Sequence, residues 1–193
     1  TAACASAFVL STLFGELAFL VAVVFWVRVV DRAPLRALGL PRTPLRDLGA
    51  GIAGGAGLVV VGYIGGIIVF TVAGLILGHQ PTQPNQVPTY VQHGTLVWSG
   101  VVVVLAAPLG EETLFRGFLY RGLRRRFSVW PAALISAALF ALVHVSPVLV
   151  LALFPVGIGL ALIFEWRQSL LASMAAHATF NLVGIIFIAL SRR

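Results

Sequence analysis

The chain has 193 residues, 60% of them hydrophobic and 10% charged, with a mean hydropathy of +1.03. A soluble domain carries about one-quarter charged residues, so the composition excludes that class and indicates a membrane protein. The net charge is +7 and every cation is an arginine. The arginines fall between apolar runs, which fits the positive-inside rule and not a nucleic-acid face, so no nucleic-acid partner is expected. The single cysteine, Cys4, rules out an intrachain disulfide and a cysteine-rich metal site.

Apolar runs of about 20 residues each predict an all-α, polytopic bundle of about six transmembrane helices. We read it as one membrane-embedded domain over residues 1–193, with a functional core over 96–190. The first run, residues 5–30, is interrupted only by Glu16. It is too long, and lacks the preceding basic region, for a cleaved signal peptide. An intramembrane acid is a functional candidate by default, but the simpler reading of Glu16 is a hydrogen bond to the small-residue face of the second run. Residues 31–47, with Arg32, Arg36, Arg42 and Arg46 among three prolines, read as a basic surface loop. The second run, 49–78, pairs Gly51 with Gly55 and Gly62 with Gly66, a spacing that lets helices approach closely.

Residues 79–95 contain no Asp, Glu, Lys or Arg, as a non-cytoplasmic loop would. A third run, 96–107, leads through Pro108 into 111–127. Pro108 lacks an N–H and predicts a kink or a fresh start one turn before two carboxylates. The fourth and fifth runs, 131–145 and 148–164, are divided by Ser146-Pro147, and the sixth covers 169–190. The Arg-rich links after the first and third runs fall on one side, expected to be cytoplasmic. Arg192-Arg193 falls on the other side, against the rule.

Three polar groupings interrupt this apolar background. Glu112 and Arg116 stand four apart, a helix ion-pair spacing, while Glu111 is turned about 100° away. One carboxylate can then pair with Arg116 while the other faces a cavity. His144 closes the fourth run, and His177 and Asn181 share a face of the sixth. Taken alone, each has a structural reading: a salt bridge, a hydrogen-bonded histidine, a polar contact between helices. Together they bring ionisable groups from three helices into a medium that charges about 3 kcal/mol for one at its centre.

Glu-Glu-x-x-x-Arg at 111–116, Phe-x-x-x-His at 140–144 and His-x-x-x-Asn at 177–181, with Phe-Arg-Gly at 115–117, resemble the signature motifs of the CPBP family. Its members are type II CAAX prenyl endopeptidases and bacteriocin-processing or immunity proteins. The resemblance covers roughly residues 108–181. It implies an intramembrane endopeptidase with Glu111 as general base, His144 positioning water, and His177 and Asn181 stabilising the oxyanion. Glu112 and Arg116 would support the site. The chemistry is coherent, since amide donors at a developing oxyanion are worth about 2.7–4 kcal/mol each.

The expected partners are membrane lipid and a peptide or membrane-protein substrate, in the cell membrane. No cofactor is expected. Zinc on Glu111, His144 and His177 is the alternative, because one Glu and two His also make a zinc ligand set. Two further rivals are a non-catalytic immunity or scaffold protein, and a small proton-relaying transporter. The lack of visible inverted repeats counts against the transporter.

Overall fold

A computed structural model describes residues 2–41, 43–79, 81, 96–144 and 146–190. Among these residues there are helices and turns and no strand. Helix α1 (Ala2–Phe25) is prolonged by a π-helical turn, Trp26–Val30, and followed by a 3-10 turn, Leu35–Leu38. Then come α2 (Pro44–Leu77), α3 (continuous from Leu96 to Arg124), α4 (Val129–Leu142), α5 (Pro147–Arg167) and α6 (Leu170–Leu190). Five of the six are long and apolar enough to cross a membrane, and α4 is shorter. The uncharged stretch 79–95 lies almost entirely outside the described residues, as does Arg192-Arg193.

Two boundaries differ instructively from the hydropathy reading. Helix α2 begins at Pro44, inside the expected basic loop. Proline is suited to a first helical turn because its missing N–H is not needed there. Asp47 in that turn is buried, binding Arg167 at the end of α5 at 2.7 Å, so the extra turn belongs to the bundle. At 34 residues α2 is about 50 Å long, well beyond a hydrocarbon core of about 30 Å. Helix α4 stops at Leu142, so His144 lies in the turn after it and not within a helix. Its Nδ1 bonds the Phe140 carbonyl at 3.0 Å, one of the acceptors a helix end leaves free.

Glycines set the distance between α2 and α6. A Cβ on Gly51 would collide with the Ala172 carbonyl and Ala175, and one on Gly55 with the Ala176 carbonyl and Thr179. Gly62 is likewise filled by the Phe180 ring, whereas Gly66 meets nothing within 4 Å. The close-approach reading therefore holds for three of the four glycines. It fixes α6, and with it His177.

Pro108 neither breaks α3 nor starts a new helix. The chain widens into a π-helical turn over Val102–Ala106, where the Ala107 N–H reaches back five residues to the Val102 carbonyl. The next bond in that register would join Pro108 to the Val103 carbonyl, and proline has no N–H to give. A second π-helical stretch, Thr113–Tyr120, follows the carboxylates. Such bulges are frequent at functional sites.

At the other end of α3, the arginine-bearing links converge. Arg124 joins Glu165 of α5 at 2.9 Å. Gly39, in a left-handed conformation (φ +92°), accepts the Leu170 N–H at 2.7 Å. A Cβ there would meet the Phe164 ring.

A carboxylate–histidine cluster as candidate active site

The neighbouring carboxylates of α3 have different surroundings. Glu112 is fully buried and accepts three side chains: Arg116 at 2.8 Å, the Ser173 hydroxyl, and His177 Nδ1 at 3.0 Å. A carboxylate held by arginine only accepts, so Nδ1 is the ring nitrogen of His177 that carries the proton. Glu111 keeps an Oε2 that is buried and has no hydrogen-bond partner among the described residues. That oxygen lies 3.9 Å from His177 Nε2. His177 is therefore fixed through one nitrogen and presents the other to the second carboxylate. The i,i+4 spacing foresaw this division, with Arg116 on Glu112.

Arg116 is wholly buried as well. Its second terminal nitrogen donates to the Gly157 carbonyl of α5 at 2.9 Å, and its guanidinium lies 4.6 Å from the centre of the Phe140 ring. A charge so placed needs both a counter-ion and hydrogen bonds to be tolerated, and Glu112, Gly157 and Phe140 supply them. Phe140 also packs against both histidines, its ring centroid 5.2 Å from that of His144 and 5.7 Å from that of His177. The structure brings Glu111, Glu112, Arg116 and His177 into direct reach. Among the described residues, His144 is tied to this group through its contacts with Phe140.

Asn181 makes a polar contact between helices, as its structural reading expects. Its amide nitrogen donates to the Val103 carbonyl at 2.7 Å, the acceptor that Pro108 leaves without a donor. One of its two N–H groups is thus engaged in closing the π-helical turn, and one is left. Ser173 was not singled out from sequence, although it lies four residues before His177 on the face that Asn181 continues. Ser136, whose hydroxyl donates to the Phe115 carbonyl at 3.0 Å, serves the second π-helical stretch in the same manner.

Glu16 corrects an expectation. It packs against α3 and not α2: a Cβ on Gly110 would collide with its carboxylate and backbone. Glu16 is buried beside the residue that precedes Glu111, and its Oε2 has no partner among the described residues. Hydropathy gave no sign of which helix it would meet.

Among the described residues no three His, Cys, Asp or Glu side chains gather closely enough to hold a metal ion. Glu111, His144 and His177, the expected zinc set, do not form such a group.

Fold and cluster together define a polytopic helical membrane protein with a buried carboxylate–histidine centre. Residues 93–183 match the family described as type II CAAX prenyl endopeptidase Rce1-like, over the segment that carries all three motifs. A protein of Escherichia coli described as "Uncharacterized 24.3 kDa protein" is 29% identical over 162 residues, spanning 80% of this chain and 70% of that protein. No solved structure matches.

Proposed function

We propose that the chain is an intramembrane endopeptidase that hydrolyses a peptide bond of a membrane-associated protein or peptide with a glutamate-activated water. The observation that carries this reading is the unequal treatment of two adjacent carboxylates. Glu112 is saturated by Arg116, Ser173 and His177, while Glu111 retains a buried oxygen with no donor among the described residues, 3.9 Å from His177 Nε2. A water placed between Glu111 and His177 gives a proton to Glu111 and attacks the scissile carbonyl carbon. The proton then passes to the departing amine. The remaining Asn181 N–H, with His177 Nε2 once that nitrogen is protonated as well, faces the developing oxyanion, and His144 orients water or substrate. The Rce1-like match over residues 93–183 supports this assignment of roles.

The test is a comparison of peptide N-termini in membranes containing the intact chain or its Glu111→Gln form. A set of new termini should be present with the intact chain and absent with the variant, at equal abundance of the two proteins. A chelator should leave the set unchanged. Termini that persist in the variant exclude Glu111 as base; no difference from membranes lacking the chain favours the non-catalytic immunity or scaffold reading.

A further inference from the structure

A cavity of about 470 Å³ lies at the arginine-bearing end of the bundle, apart from the carboxylate–histidine cluster. It is formed where the end of α1 and the 31–38 link meet the last turns of α3. One wall is apolar: Trp26 and Phe118, packed edge to face with centroids 6.2 Å apart, and Leu123 beside them. The rim is cationic, with Arg121, Arg125 and Arg126 against a single acid, Asp31. Arg121 is already turned onto the Phe164 ring, 5.9 Å from its centre. Arg125 and Arg126 are exposed, and neither guanidinium makes a hydrogen bond or ion pair among the described residues. Arg124, between Leu123 and Arg125, is by contrast fully occupied by Glu165 and the Phe127 carbonyl.

We propose that this cavity binds an anionic phospholipid, its phosphate against Arg125 and Arg126 and the start of an acyl chain along Trp26, Phe118 and Leu123. Three features select that occupant. The cavity sits where two membrane spans end, at the depth of headgroups, and Trp26 is the kind of residue that marks this level. Basic pockets between helices at such a level suit phosphate headgroups. A free inorganic anion would have no use for the apolar wall, and a zwitterionic lipid would bring a second cation to an already cationic rim. Two guanidiniums with no protein acceptor lack only the phosphate oxygens that fit their forked donors.

Native mass spectrometry of the full chain in neutral detergent, with equimolar phosphatidylglycerol and phosphatidylcholine, tests the proposal. Phosphatidylglycerol should dominate the retained lipid. The double variant Arg125→Gln, Arg126→Gln should lose roughly thirtyfold in its binding, at about 1 kcal/mol per arginine. Arg32→Gln, an exposed arginine outside the cavity, should bind as the intact chain does. Equal retention of the two lipids overturns the proposal, and so does a double variant that keeps its preference. Loss in Arg32→Gln as large as in the double variant assigns the effect to diffuse surface charge. Displacement of the lipid by an equal concentration of glycerol 3-phosphate reduces the site to an anion site and overturns the lipid assignment. Gel filtration of each variant checks that it is folded, and every outcome can be read whether or not the chain cuts peptides.

Discussion

Glu112 shows how a charge survives inside this bundle. Three donors from two helices converge on it, and its cation, Arg116, is held in turn by the Gly157 carbonyl and the Phe140 ring. Removing one partner of a buried pair leaves the other uncompensated, at a cost of about 3–5 kcal/mol. Arg116→Met should therefore lower the unfolding midpoint in detergent far more than Ser173→Ala, which forfeits one hydrogen bond worth about 1 kcal/mol. Equal effects of the two substitutions would remove Arg116 from its keystone place. This pairing was legible beforehand, because four residues on a helix is a fixed distance. Ser173 was not, because an apolar helix tolerates a serine whose hydroxyl bonds almost anywhere, and only the position of Glu112 gives it a task.

Helix α3 carries the site on a backbone that is deliberately irregular. Pro108 withholds a donor, the chain widens to a π-helical turn, and Asn181 reaches across from α6 to satisfy Val103. Asn181→Ala should therefore cost about 1 kcal/mol in the native background. It should cost almost nothing in a Pro108→Ala background, where the restored N–H repairs the turn from within. Thermal unfolding of the four proteins in this cycle supplies the coupling, and strictly additive losses would detach Asn181 from Pro108. Sequence marked the proline but predicted a break. A wider helix leaves no trace in hydropathy, and the repairing group lies 78 residues away. Neighbour identity was hidden for the same reason: Glu16 could be placed in the first span, yet whether it met α2 or α3 depended on how spans pack. The Gly51 and Gly55 contacts were recoverable, since small residues four apart signal a close approach whichever helix fills it.

For the molecule as a whole, the six helices of the described residues, five of them long enough to span, gather their arginine-rich links at one end, joined by Asp47–Arg167 and Arg124–Glu165. We propose that this end is cytoplasmic, on the positive-inside rule. A Ser128→Cys label site in a Cys4→Ala background should then react with an impermeant maleimide in inside-out vesicles and resist it in intact cells; the reverse pattern inverts the topology. Span positions followed from length and apolarity alone, whereas the overlong α2 and the short α4 followed from partners that only the fold reveals. The proposed function divides the work of the two carboxylates, Glu112 holding the bundle together and Glu111 serving the chemistry, and stability and cleavage measured side by side in Glu111→Gln and Glu112→Gln decide it. Glu111→Gln should unfold within about 2 °C of the intact chain while losing its new termini, and Glu112→Gln should unfold about 6 °C lower or more. A Glu111→Gln protein destabilised as much as Glu112→Gln, and still generating those termini, would contradict it.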